Sequence, residues 1–425
     1  MNDRSDHVVV IGGGVIGALT AWNLVQANCQ VTIVEKSGFG AACSHGNCGY
    51  VSPSHVLPLP QPGAIAKTMK AMLSRNSPFS VKPRLSRSFI SWFWNFSRRC
   101  NREDMLAAGV GRHAILQSSQ QLYKQLIANE NIDCEWQEVG LLFVYDTEEE
   151  CQAFQSTDEL LRNEFGVGAT RYSGEQLAEL EPALKHGFGG AWHYEGDCHI
   201  RPDKLMSAMR AKLEERSVQI VEGQNVAGFQ RENGQAVSVT LQDADGQSST
   251  SISADKFVVA TGALTPFLND HLGCRIPIEP GKGYSLTMPT PARVPKFPII
   301  FETSHVAITP MKSKYRIGST MEFAGYDTSI NKKRLQLLKT AAAKYLHEPY
   351  CDPVEEEWYG WRPMTWDGKP FIDRSPAMEN VWIAAGHNML GLSMATATGK
   401  LVRELMLDEQ PHIDPSHFSL ARLKG

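Results

Sequence analysis

Apolar positions along this chain fall into two kinds of run. Short, continuous, β-branched runs occur as HVVVI (7–11), QVTIV (30–34), VQIV (218–221), KFVV (256–259) and VWIAA (381–385). The first suits a parallel strand buried on both faces, and KFVV and VWIAA read as buried strands of the same kind. Helical spacing appears in PDKLMSAMRAKLEER, residues 202–216, where Leu205, Met209 and Leu213 share one face and Pro202 stands near the start. Between these lies NVAGFQRENGQAVSVTLQDADG, which reads as a β-ribbon turning at Asn233-Gly234. Two of the buried strands run straight into glycine and then into a helix: IGGGVIGALTAWNL near the start, and GHNMLGLSMATATG near the end. The chain therefore has two strand–glycine–helix corners at opposite ends of its length.

The first corner carries a phosphate-binding design. Gly12, Gly14 and Gly17 stand in GxGxxG register and open a helix predicted to run to about Asn28. Gly12 permits the tight turn, Gly14 lets backbone amides approach a pyrophosphate, and Gly17 lets helix and strand pack closely. The helix N-terminus stabilises the phosphate charge. Glu35 ends the second strand, placed to accept hydrogen bonds from the adenosine ribose and to repel the extra phosphate of NADP. These features predict a bound dinucleotide and leave NAD and FAD both open. KFVVATGA ends in Ala260-Thr261-Gly262, where small residues let the backbone pass near a ligand. At the second corner, His387 to Gly391 turn the chain into a helix whose free amides can hold a polar ring edge or polyol. An NAD enzyme has no need of a corner returning from the far end of the chain, whereas a flavin and its ribitol extend well beyond the adenine site.

Length, charge and cysteines narrow the picture further. At 425 residues the chain is too long for one compact core and predicts two domains. The formal net charge of −4 gives no support for nucleic-acid binding. Nine scattered cysteines, with no CxxC pair and no His/Cys cluster at metal-ligand spacing, read as reduced thiols of a cytoplasmic protein with no metal site. The apolar stretch 8–22 is broken by four glycines, which fits a nucleotide-binding unit better than an export signal. No other stretch approaches the roughly 20 apolar residues of a membrane span.

Further segments carry a resemblance. VVVIGGGVIG with Glu35, SHGNCGYVSPSHVLPLPQPG (44–63), KGYSL (282–286), VAITP (306–310), RIGSTMEFAG (316–325), GWRPMTWDGKPFI (360–372) and GHNMLGLSMATATG together cover nearly the whole chain. On these the chain resembles the FAD-dependent D-amino-acid oxidase superfamily, and most closely the bacterial D-amino-acid dehydrogenases. The resemblance implies one extended FAD site across both corners, with Gly386, His387, Gly391 and Leu392 near the flavin and ribitol. It places Ser44, Asn47 and Gly49 in the loop beside the flavin. Val15, Ile16, Lys36 and Val226 complete the set assigned to the cofactor. Members with covalent flavin carry a cysteine near the GWRP region; this chain has Trp361-Arg362 there, implying non-covalent FAD.

The implied fold is α/β with an α+β second domain. A Rossmann-like FAD-binding domain would take residues 1–60, 195–270 and 355–425, and a discontinuous antiparallel-sheet substrate domain 61–194 and 271–354. The implied reaction is oxidative deamination of a D-amino acid to a 2-oxo acid and ammonia, with electrons passed to a quinone or other acceptor. Flavin chemistry asks the protein mainly to clamp the carboxylate and aim the α-C–H bond. Arg362 is the candidate clamp, since a guanidinium can hold a carboxylate bidentately; pairing with Asp367 is the competing role. Tyr284 and His305 are further catalytic candidates, read as lying on strands, with His305 standing about where related oxidases carry tyrosine. Oxidation of a secondary amine such as proline, hydroxyproline or sarcosine, or of glycine, stays open, as does a flavin subunit of a larger electron-transfer complex. VKPRLSRSFISWFWNFSRRCNR, residues 81–102, interleaves arginines with aromatics. It reads either as a core helix with solvated arginines or as a contact with the inner face of a membrane.

Overall fold

The computed structural model describes residues 5–424 apart from 73–76, 78, 83, 85, 244, 245, 247 and 248. Pro83 and Leu85 of the aromatic–basic stretch, Ala244 and Asp245 of the ribbon segment, and residues 1–4 of the first domain range lie outside the described residues.

Two sheets organise the fold. The first has six strands in the order Phe371–Arg374, Val381–Ala385, Lys256–Val259, His7–Ile11, Gln30–Val34 and Gln219–Val221. All neighbours are parallel except Phe371–Arg374, which runs against Val381–Ala385. Burial on both faces explains the unbroken apolar runs. Val8 and Val10 face a helical layer with Leu19, Leu205, Met209, Leu213 and Leu401. Val9 and Ile11 face the ribbon, through Val226, Phe229, Val239 and Leu241. The ribbon pairs Asn225–Glu232 with Gln235–Gln242. Its turn residues Asn233 and Gly234 both take positive φ, 48° and 81°, the two-residue turn whose twist matches antiparallel strands.

The second sheet is mainly antiparallel and has nine strands. Eight follow the order Glu356–Met364, Glu279–Met288, Tyr315–Phe323, Val306–Pro310, Ile299–Phe301, Leu141–Tyr145, Gly190–Tyr194 and Thr170–Ser173, with Phe79–Val81 beside Tyr315–Phe323. One face packs on the helix Lys332–Tyr345 through Tyr284, Leu286, Ile317, Leu335 and Leu338. The other holds the loop 43–49: Ser285 donates to the Gly46 carbonyl at 2.7 Å, Thr309 to that of Cys48 at 2.7 Å, and Arg316 to that of Asn47 at 2.8 Å. Two elements tie the sheets together. Glu356–Met364 pairs with Glu279–Met288 along its length, and the chain then crosses directly to Phe371 in the first sheet. The helix Arg102–Glu130 sends Ile115, Leu116, Tyr123 and Leu126 into the core under the first sheet.

Candidate active site

Both glycine corners open at the same sheet edge. His7–Ile11 and Val381–Ala385 are parallel strands separated only by Lys256–Val259, so the helices that follow them, Val15–Gln26 and Gly391–Met406, begin side by side. Neither N-cap residue, Gly14 or Leu390, caps its own helix through a side chain, and in the first helix only the Val15 N–H finds a side-chain acceptor among the described residues, Ser44. Elsewhere Ser86, Asn101, Thr147, Ser173 and Asn331 cap helices through their side chains, while Gln155–Phe165 and Pro202–Glu215 also start without one. Uncapped first-turn amides need an outside acceptor, and the helix dipole favours an anionic or polar one. The close packing depends on glycine. A Cβ on Gly17 would lie 1.8 Å from the Gly12 carbonyl, and one on Gly399 would lie 2.4 Å from the Leu19 carbonyl. Gly262, at the end of the strand between them, has φ +55° and nothing within 4 Å of an added Cβ, so it faces open space.

Around these corners the named residues have distinct surroundings. Glu35 accepts the Gly13 N–H at 2.7 Å and the Ser37 N–H at 2.9 Å, bracing the glycine loop. Its neighbour Lys36 is exposed. Ser44 accepts from the Val15 N–H at 2.8 Å, and Ile16 is half-buried one residue on. Asn47 folds back on the carbonyls of Cys43 and Ser44 and accepts the Gly49 N–H. The Val226 side chain belongs to the core between ribbon and sheet. Thr261 bonds Thr265 at 3.0 Å at the start of a 3₁₀ turn. His387 is 2% exposed and bonds Thr398 at 3.0 Å; burial pushes its pKa down to about 3, so the ring is neutral. The Leu392 carbonyl is held by Tyr123.

Arg362 lies on the face of the second sheet that holds the loop 43–49. Its Nη1 donates to the Thr320 carbonyl at 2.6 Å. Ser319 and Thr320 take φ of 113° and 60°, a strained arrangement for a hydroxyl residue and a β-branched one. Among the described residues no carboxylate pairs with Arg362; Asp367 pairs instead with Arg422 at 2.8 Å. Burial lowers the guanidinium pKa, and the nearest groups of opposite tendency are the Cys43 and Cys48 thiols. Burial pushes Cys43 up to about 12 despite Arg362 beside it, so it stays a thiol. A half-buried guanidinium with most of its donors unmatched has the chemistry to hold an anion.

The other two catalytic candidates are not brought to Arg362. Register pairs Arg362 with Gly281 and Tyr284 with Tyr359, so Tyr284 points to the opposite face of its strand. There it is 1% exposed within the helix-packed core, donating to Glu322 at 2.6 Å. His305 is not on a strand. Phe301 pairs with Val306, which leaves residues 302–305 as the hairpin loop, and His305 ends it exposed with φ 48°.

With this geometry the comparisons with known proteins agree. The family model described as "DAO: FAD dependent oxidoreductase" matches residues 7–405. The chain belongs to this family. It is an FAD-dependent oxidoreductase. Among solved structures it is similar to glycine oxidase from Geobacillus kaustophilus, with TM-score 0.77, 21% identity, and 98% of this chain and 99% of that one covered. L-proline dehydrogenase from P. horikoshii gives TM-score 0.72 and 22% identity, covering 99% of this chain and 98% of that one. At such identities the likeness is one of fold.

The residues present fit FAD. Uncapped amides at both helix starts, the open side of Gly262 and the carboxylate of Glu35 line one edge of one sheet, and the loop 43–49 bridges it to Arg362. Two residues that the sequence reading passed over hold this together. Asn388, at φ 54°, accepts the Thr365 N–H at 2.9 Å, donates to the Gly386 carbonyl at 2.8 Å, and gives its own N–H to Pro363. It thereby locks the second corner to the residue following Arg362. Arg316, 2% exposed, donates to Thr287 and to the carbonyls of His45 and Asn47, bracing the loop 43–49. Asparagine's tolerance of positive φ was the available signal for the first; nothing local marks the second. Among the described residues no group of His, Cys, Asp or Glu is arranged to hold a metal, and all nine cysteines are free.

Proposed function

We propose that this enzyme oxidises the C–N bond of a small amino acid, a D-amino acid in the first reading, giving an imino acid that hydrolyses to a 2-oxo acid and ammonia. The observation that carries the reading is Arg362: half-buried, without a carboxylate partner among the described residues, and facing the loop that would run beside the cofactor. Its guanidinium would hold the substrate carboxylate bidentately and so fix the α-carbon. Bound FAD would supply the acceptor for the hydride leaving that carbon. Thr320, through its carbonyl, would hold the fork in place, and the neutral Cys43 and Cys48 would shape the wall without adding charge.

FAD would be held non-covalently, by the amides of both corners with Glu35, Ser44 and Asn47. The residue before Arg362 is Trp361, and burial keeps the two nearby thiols protonated, hence poor nucleophiles. Electrons would pass to a quinone or another acceptor. A second reading, a secondary amine or glycine, is favoured by the likeness over nearly the full length to proteins named glycine oxidase and L-proline dehydrogenase.

The deciding experiment is an anaerobic visible spectrum during addition of D- and L-alanine, D- and L-proline, sarcosine and glycine. Bleaching by the D-forms and not the L-forms supports the first reading. Bleaching by L-proline, sarcosine or glycine alone selects the second. Flavin that none of them bleaches overturns both.

A further inference from the structure

The helix Arg87–Arg98 is apolar on two faces. Phe89, Trp92 and Phe96 pack inward among Met321, Phe323, Met364 and Trp366, and the Trp92 indole donates to the Met364 carbonyl at 2.9 Å. On the other side Ile90, Phe93 and Trp94 are 57%, 47% and 64% exposed. At i, i+3 and i+4 they adjoin one another, with Arg87 one turn before Ile90 and Arg98 one turn after Trp94. A surface helix ordinarily buries one stripe and turns polar on the rest. This one presents a second apolar stripe bounded by arginines.

Charge along the chain singles out the same region. Residues 36–102 hold ten lysines and arginines and no aspartate or glutamate, although the whole chain is net −4. Lys82 and Arg84 are used internally, paired with Asp327 and Glu279. Lys67, Lys70, Arg87 and Arg98 are exposed and make no ion pair among the described residues. At the C-terminal end of the helix, Arg99 stacks 3.9 Å over Trp366. There it lines a cavity of about 180 Å³ with Lys369, Arg422 and the carboxylates of Asp104 and Asp367.

We infer that the outer face of Arg87–Arg98 docks on an anionic phospholipid bilayer. Tryptophan and phenylalanine settle at the headgroup–acyl boundary, while flanking arginines extend to the phosphates. A second copy of the chain would set basic surface against basic surface, and a nucleic acid would bring phosphates against the apolar centre. Among the described residues no helix is long and apolar enough to cross a membrane, so the contact is peripheral. Three apolar side chains on a single short helix make it reversible and salt-sensitive. The inference is independent of which amine is oxidised.

The test uses the holoprotein and co-sedimentation with vesicles. At low salt, binding to vesicles of phosphatidylglycerol and phosphatidylethanolamine should exceed binding to pure phosphatidylcholine by about 10-fold or more and fall steeply with added salt. The triple variant Ile90→Ser, Phe93→Ser, Trp94→Ser should lose about 10-fold in binding, on the order of one insertion-worthy aromatic or more. Its flavin spectrum and its turnover with a soluble dye acceptor should be unchanged. Arg87→Glu with Arg98→Glu should weaken binding to anionic vesicles and leave phosphatidylcholine unaffected. Absence of anionic binding at low salt, or equal binding by the triple variant, overturns the inference. So does a wild-type dimer that the triple variant converts to monomer, which would make this face a contact between copies of the chain.

Discussion

Arg362 concentrates the functional reading in one side chain, and its environment fixes what substitution should do. Because the half-buried guanidinium pairs with no carboxylate among the described residues, its removal creates no orphaned acid there. The loss should therefore fall on substrate. Arg362→Ala should lower kcat/KM by roughly 100-fold, about 3 kcal/mol, with the effect largely in KM and FAD still bound. Arg362→Lys keeps the charge and loses the fork, so an intermediate loss is expected. Unchanged kinetics with the amino acid that bleaches the flavin fastest would remove Arg362 from the clamp role.

A second residue sets a pH dependence. Asp197 is 1% exposed and accepts from the Ser54 hydroxyl at 2.6 Å and the Ser54 N–H at 3.1 Å. Burial outweighs these bonds and pushes its pKa up to about 7. A carboxyl with a raised folded pKa contributes stability fully below its unfolded value, and loses it as pH rises through the folded value. The contribution should therefore fade between about pH 4 and pH 7. Asp197→Asn, which can accept the same N–H and donate to the same hydroxyl, should flatten that decline. Melting temperatures across pH 5 to 8 should show the variant gaining on the wild type by on the order of a few degrees at the upper end. A constant offset across the range would assign the slope to other groups.

At the scale of elements, the two helices from the two corners are held together by a contact only glycine allows. An added Cβ on Gly399 would sit 2.4 Å from the Leu19 carbonyl oxygen and 2.6 Å from its carbon, both backbone atoms that cannot swing away. Gly399→Val must separate the helices and, with them, the uncapped amides at their starts. Thermal stability should drop by about 2 kcal/mol and FAD affinity should fall together with it, measured by flavin fluorescence on reconstitution. Gly196→Ala, where an added Cβ meets nothing within 4 Å, should do neither. If Gly399→Val lowers stability and leaves FAD affinity intact, the alignment of the two helix starts is not what holds the cofactor.

These elements also show where sequence reading succeeds and where it stops. The parallel strands, both corners and the ribbon turn were legible because each depends on local chemistry: unbroken β-branched runs, glycines required by close approach, and an Asn-Gly pair at positive φ. Arg362 was singled out through the segment around it, and its role as clamp remains a proposal. The side on which Tyr284 projects was not, since it depends on pairing register, and a shift of one residue exchanges the two faces of a strand. His305 was misplaced for a related reason. The run VAITP marks a strand but does not say that pairing begins at Val306 and leaves the preceding four residues to the loop. Arg316 acts on carbonyls some 270 positions away in sequence, a relation that no local pattern contains.

For the molecule as a whole, the proposed site draws on separated parts of the chain: Gly12 to Gly17 with Glu35, the loop 43–49, Thr261-Gly262, and Gly386 to Leu392. A ligand touching all of them should link the folding of both sheets, because Asn388 ties the last corner to Pro363 and Arg316 ties the loop to the second sheet. Ligand that binds only the native state stabilises it by mass action, about 2.7 kcal/mol at 100 times the dissociation constant. The stripped apoprotein should therefore melt well below the holoprotein, with a midpoint that climbs with the logarithm of added FAD. ADP offers the decisive contrast. It carries the adenosine and pyrophosphate that the first corner would recognise, but nothing that would reach Gly386 to Leu392. At concentrations equally far above their dissociation constants, simple binding stabilises alike, so the comparison must lie in the cooperativity of unfolding. FAD should merge the melting of the two sheets into one transition, whereas ADP should sharpen only the part built on the first sheet. Equal merging by ADP would mean that the far corner completes the fold without completing the site.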